Sequence, residues 1–249
     1  MRTTVSIASI ALVCLTLTGL APTASAATIT LDATSRGWFT SGGLGIGGTA
    51  GSNYLAGEYE TQEYRNYFTF DLSGVTDLIV SASLRITAGT YCSPDASETF
   101  ALFDVSTPFA SLTDGTGGVA AFTDLGSGTS YGSRAFTASD PYDIPVTFAL
   151  NGAALTNLQA AVGALFGMSG AITTISGSAD QLVFGGTGFN GGAPVQLALE
   201  TAPAPPPPPP AVPEPATLTL LGTGLITLTA RRRGQATSQR GECPVVQGS

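Results

Sequence analysis

Gly128-Thr129-Ser130-Tyr131-Gly132 has the spacing of a nucleophile elbow, which throws a serine out on a sharp strand-to-helix turn. That serine needs a base to take its proton, and the base is normally a histidine. The chain contains no histidine. Imidazole bases, His-based triads and His metal ligands are therefore excluded, and Ser130 reads as part of a glycine-rich loop. Carboxylates are the acid–base groups that remain. The stretch "GEYETQEY" places Glu58 and Glu60 on one strand face with Glu63 beyond, and "SPDASE" adds Asp95 and Glu98. Paired carboxylates can hydrolyse glycosides, and such oxygen ligands can take Ca²⁺. A charged edge that discourages sheet-to-sheet aggregation explains the same residues more simply. Gly45-Ile46-Gly47 with Ala50 resembles a dinucleotide loop only loosely, and no βαβ pattern surrounds it. The expectation is no catalytic residue, no metal ligand, no cofactor, and hence a non-enzyme.

Charge narrows the partners. Between Ala27 and Thr201 there are four arginines against fifteen Asp and Glu, a net charge of −11. Such a segment repels nucleic-acid phosphates and anionic membrane surfaces, so no nucleic acid is expected. Cys14 lies near the start and Cys243 near the end, which leaves Cys92 alone in the middle. An internal disulfide there is impossible, and Cys92 reads as a small semi-buried residue. Trp38, Phe39, Tyr54, Tyr59 and Tyr131 fall in loop-like stretches, where exposed rings could stack on sugars and buried ones would pack the core.

The elements that must hold these residues alternate with period two. Ile29 and Leu31 share a face in "ATITLDA". Tyr64, Phe68, Phe70 and Leu72 do so in "EYRNYFTFDLS", opposite Arg65, Tyr67, Thr69 and Asp71. Leu78, Val80, Ala82, Leu84 and Ile86 do so in the next run, as do Val146, Phe148 and Leu150, and Val195, Leu197 and Leu199. "TFALFDVS" and "DQLVFGG" are apolar on both faces and suit central strands. Strands of this kind between Gly, Pro and Asp turns predict an all-β antiparallel sandwich. Leu155, Leu158, Val162 and Leu165 predict one short helix over Ala153 to Leu165.

Both ends read as processing segments. Arg2, the apolar run Val5 to Leu20 and Ala24-Ser25-Ala26 form a signal-peptide pattern, with cleavage expected between Ala26 and Ala27. A sandwich is then expected over residues 27–201 and a Pro-rich linker over 202–211, extended as polyproline II. Pro203 to Pro215 would reach about 40 Å at that helix's rise. Next come Val212-Pro213-Glu214-Pro215, an apolar stretch Ala216 to Ala230, and Arg231-Arg232-Arg233. Fifteen helical residues span about 22 Å, short of the ~30 Å hydrocarbon core. Arginines following the stretch stay on the cytoplasmic side, leaving the preceding domain outside.

The order of Pro-Glu-Pro, apolar helix and arginine cluster over residues 212–233 resembles the PEP-CTERM sorting signal of Gram-negative bacteria. The resemblance implies recognition and cutting by an exosortase, transient membrane association through the apolar helix, and release or transfer toward the cell surface. It departs in one respect: the chain runs on for residues 234–249, read as a disordered tail. In the middle, "RNYFTFDLSGV", "SASLRITAG" and "FALFDVSTP" are similar to β-sandwich ectodomains of PEP-CTERM proteins and to jelly-roll DNRLRE-type modules, which implies fold rather than activity. The leading expectation is a non-enzymatic exported surface or matrix protein, associated with exopolysaccharide. The alternative is a carbohydrate-binding module, assisted by calcium.

Overall fold

The computed structural model describes residues 26–48, 53–89, 91–141, 144–177, 180–184 and 194–203. The chain divides into two compact units, residues 1–204 and 205–249. The second lies outside the described residues, as do the leader and the whole tripartite segment.

Among its described residues the first unit is an antiparallel sandwich of twelve strands. Sheet A runs β1 (Ala27–Asp32), β12 (Gln196–Ala202), β6 (Leu78–Thr87), β9 (Pro145–Ala149). Sheet B runs β11 (Gln181–Phe184), β4 (Ala56–Tyr59), β5 (Gln62–Asp71), β10 (Leu165–Ile172), β7 (Glu98–Asp104), β8 (Ser130–Phe136). The second edge of β5 carries β2 (Ser35–Thr40), which in turn pairs with β3 (Gly45–Ile46). The pairings are nested: β7 with β8, β6 with β9, β5 with β10, β4 with β11. These pairs lie in sheets B, A, B and B in turn, a nested ribbon like that of a jelly roll whose alternation between sheets stops at the last pair. β1 and β12 close the nest from outside.

Alternation in the sequence becomes the two faces of each strand. Leu197 and Leu199 on β12, Val146 and Phe148 on β9, and Leu84 and Ile86 on β6 point inward, with polar or small neighbours pointing out. Aromatic rings fill the centre. Phe184 lies 4.6 Å from Phe100, 5.4 Å from Phe136 and 6.2 Å from Tyr54, centroid to centroid. Arg36 is buried there too, 5.0 Å over the Tyr54 ring, and loss of water around its guanidinium lowers its pKa. Such stacking is one favourable contact for a buried guanidinium.

Among the described residues three helices interrupt the ribbon, where the sequence predicts one. α3 (Gly152–Ala160) is shorter than the expected 153–165. Asn151 caps it by accepting from the Ala154 amide at 3.1 Å. Gly163, with φ of +84°, takes the turn that ends the helical region, so Leu165 starts β10 and stands 47% exposed. α1 (Phe109–Thr113) and α2 (Gly118–Asp124) lie between β7 and β8 and were not anticipated. At five and seven residues they are too short for a helical period to show. They lie over the outer face of sheet B, where Phe39, Tyr67, Leu112, Ala121, Phe122 and Leu125 form a second apolar cluster. Tyr67, assigned by alternation to a polar face, is for this reason fully buried.

β11 ends the main strand order of sheet B, rather than lying centrally. It is nevertheless buried. The Gly89 amide bonds to Val183, and Cys92 exchanges both backbone bonds with Leu182, so the 89–92 segment covers the strand's free edge. Cys92 itself is exposed, not semi-buried, because its side chain lies outside this bridge.

Candidate functional site

The residues that could have done chemistry are dispersed. Ser130 opens β8 as an exposed strand residue, with no helix following the turn. Its carbonyl accepts from Asn151 Nδ2 at 2.8 Å, while the preceding Thr129 amide donates to Asp104 at 2.7 Å. Gly45 and Ile46 form the short strand β3, and a side chain at Gly45 or Gly47 would meet Phe39 or the Leu112 carbonyl, so these glycines serve close packing and not a phosphate loop. Ala50 lies outside the described residues.

Glu58 and Glu60 do not share a strand face as the sequence suggested. Glu58 sits on β4 directly opposite Glu63 on β5. Glu60 is in the two-residue turn that joins them, where Glu60 and Thr61 have φ of 46° and 66°. The Glu60 amide donates to Asp180 Oδ1 at 3.1 Å. Glu63 accepts from Arg65 Nε at 2.8 Å, and Arg65 lies 4.1 Å over the Phe122 ring of α2. Arg65 therefore pairs with Glu63 and not Asp71; Asp71 accepts from the Ser73 amide at 2.8 Å. Backbone and side-chain bonds from Ser73 hold the Asp71 carboxyl below the ordinary range.

Asp95 and Glu98 meet at one amide. Gln181 Nε2 donates to Asp95 at 2.8 Å and to Glu98 at 2.7 Å. The buried Glu98 also accepts from the Ser93 hydroxyl at 2.6 Å and from the Thr174 hydroxyl. Gln181 Oε1 accepts from the Ser176 amide at 2.7 Å. Neutral donors thus satisfy this carboxylate, as burial requires, and it functions as a strut between β7, β11 and their loops. Among the described residues no group of three or more His, Cys, Asp or Glu could hold a metal ion.

The aromatic residues divide sharply. Phe39, Tyr54 and Tyr131 are buried. Trp38 is half-buried, and Tyr59 is 43% exposed. The Trp38 ring meets Tyr64 edge-on at 5.1 Å. Tyr64 belongs to this exposed group, yet the sequence assigned it to the core through its phase with Phe68 and Phe70. Its phase is right, but β5 is ten residues long and its Gln62–Arg65 end is only partly buried.

The two ends of the domain lie together. Ala26 and Ala27, the expected cleavage pair, are exposed at the start of β1. Ala27 pairs with Thr201, whose hydroxyl donates to the Ala27 carbonyl at 3.2 Å. β12 ends one residue later at Ala202, immediately before the Pro-rich run. Among the described residues no helix is long and apolar enough to cross a membrane; the segment expected to do so, 216–230, lies outside them.

Residues 211–233 match the family model for the PEP-CTERM protein-sorting motif. The chain carries a PEP-CTERM sorting signal. The match includes Val212, Pro213, Glu214, Pro215 and Arg231, Arg232, Arg233. No curated protein matches the chain. The PEP-CTERM segment marks an exported protein that is sorted through the cell envelope with exosortase processing. It begins nine residues after the last residue of β12, so a short proline-rich stretch separates strand from signal.

Proposed function

We propose that this is a non-enzymatic surface protein of a Gram-negative bacterium. It is exported, held transiently by residues 216–230, cut near Pro213-Glu214-Pro215 by an exosortase, and left in the envelope or the exopolysaccharide layer. The observation that carries this reading is the PEP-CTERM motif at 211–233. Support for the absence of catalysis comes from the missing histidine and from the carboxylates: Glu60 sits in a turn away from Glu58, and Glu63, which faces Glu58 across the hairpin, is paired with Arg65. Intact mass of the protein from hosts with and without an exosortase tests the reading. The expected result is loss of the C-terminal segment only in the host that has the enzyme; an intact C-terminus in both overturns it.

The second reading is a carbohydrate-binding module. The partly exposed rings of Trp38, Tyr59 and Tyr64 favour it. Calcium assistance gains no support from Asp95 and Glu98, whose oxygens are taken up by Gln181, Ser93 and Thr174.

A further inference from the structure

Sheet B extends past the cover of sheet A. At the Gln62 end of β5, residues that would otherwise face the sandwich interior meet solvent. Register places a set of apolar side chains there. Directly opposed residues share a face, and so do residues two apart on a strand. Tyr64 opposes both Gly57 on β4 and Thr40 on β2. Tyr59 lies two residues from Gly57, and Trp38 two from Thr40; Trp38 also opposes Ile46 on β3. Tyr59, Tyr64, Trp38 and Ile46 therefore form a diagonal row over four neighbouring strands. Tyr59 and Ile46 are 43% and 44% exposed, with Tyr64 and Trp38 half-buried between them. Three gaps of ~4.8 Å across the strands and a four-residue offset along them give a diagonal of about 20 Å, the scale of a short oligosaccharide rather than a single sugar.

We propose that this row binds a neutral polysaccharide, with Tyr59 and Tyr64 stacking on the C–H faces of hexose rings and Trp38 held edge-on beside Tyr64. The proposal rests on the second reading above and gives it a site. A ring's negative face attracts the weakly positive C–H bonds of a sugar, and the edge-on contact between Trp38 and Tyr64 fixes the two rings without stacking one on the other. Charge selects the polymer. Glu60 and Asp180 adjoin Tyr59, and both raise the pKa of its hydroxyl after a leading contribution from its hydrogen bond to Glu60. Glu58 and Glu63 lie on the opposite face of the hairpin, where Arg65 is held by Glu63 and Phe122. An acidic rim repels uronate polymers and anionic lipid. The net charge of −11 over residues 27–201 likewise opposes a second copy.

Trp38 is the only tryptophan in the chain, so its emission reports on this site in the full-length protein without a label. Titration with cellohexaose, laminarihexaose and galactomannan is expected to give a saturable emission change with at least one, and alginate none. Tyr59→Ala and Tyr64→Ala are each expected to weaken binding about five- to tenfold, the scale of one aromatic contact. Arg85→Ala, on the exposed outer face of sheet A, should bind as wild type. Tyr59 is exposed enough for its variant to fold, and circular dichroism checks both. If a neutral glycan is retained in pull-down while Trp38 emission is flat and both Tyr variants bind normally, the site is overturned and the second reading survives. If no neutral glycan is retained and emission is flat, both fall. Emission that follows protein concentration instead of glycan assigns the face to a second copy and overturns the proposal.

Discussion

The two halves of β5 have the same alternation and opposite fates. Phe68 and Phe70 point into the sandwich and are fully buried. Tyr64, in phase with them, points to the same side but remains half-buried, because the strand outruns the sheet that would cover it. A period-two pattern states which residues share a face and not what lies over that face. The opposite side of the strand gives the same lesson. Tyr67 and Arg65 alternate with the core residues, yet one is buried under α1 and α2 and the other lies over Phe122. Cover comes from distant chain, and only the tertiary fold decides where it ends.

Removing the cover is the largest test. A chain ending after Val195 lacks β12, which pairs with both β1 and β6. It is expected to show no cooperative unfolding transition, whereas a chain ending after Ala204 unfolds in one step; a cooperative transition in the shorter chain would contradict this. Next in size is the contrast between covered and uncovered rings. Phe184→Ala should lose about 3–5 kcal/mol in denaturant unfolding, and Tyr59→Ala no more than ~0.5 kcal/mol. Comparable losses would show that the Gln62 end is packed as core. Smaller still, Glu60→Asn with Thr61→Gly should raise stability by about 1 kcal/mol. Both positions hold a left-handed backbone, which costs least for asparagine and glycine.

The last prediction concerns the helices over the outer face. Asp124 ends α2 and accepts from the amides and hydroxyls of Ser106 and Thr107. Burial works against its charge, but these bonds outweigh it and hold its carboxyl below the ordinary range. The sign follows from a folded pKa that lies below the unfolded one. The contribution is full above the ordinary aspartate value of about 3.9 and is lost as pH falls through the lower folded value. Stability of wild type relative to Asp124→Ala should therefore shrink below about pH 4 and stay level above it. A difference independent of pH would show that the carboxylate charge contributes nothing.

Much of the fold is legible in the sequence. Strands β1, β5, β9 and β12 and the inward residues of β9 and β12 follow from alternation. On β6 the alternation holds for Ala82, Leu84 and Ile86 and fails at Leu78 and Val80, which are exposed while Ile79 is buried, because a bulge in the β6–β12 register shifts the phase. β8 falls in a stretch that reads as a glycine-rich loop. The short helices are not legible either, since Leu112, Ala121 and Leu125 sit among glycines and threonines that read as loop. Arg36 in the core is likewise invisible locally, because the ring it stacks on, Tyr54, is eighteen residues away. The acidic stretch shows its composition and hides its geometry. A two-residue turn at Glu60-Thr61, without asparagine or glycine, gives no sequence warning, and it is this turn that takes Glu60 out of the strand. The sorting segment is the reverse case: three short pieces in fixed order are legible without any fold at all.

β12 is both an interior strand of sheet A and the final strand of the ribbon. A polypeptide threaded outward from its amino end delivers that strand after every other described strand of the domain, with the proline-rich stretch and the sorting motif next behind it. Sheet A can therefore close only once the segment beside the sorting motif has been delivered, so folding of the domain and presentation of the motif fall close together in export.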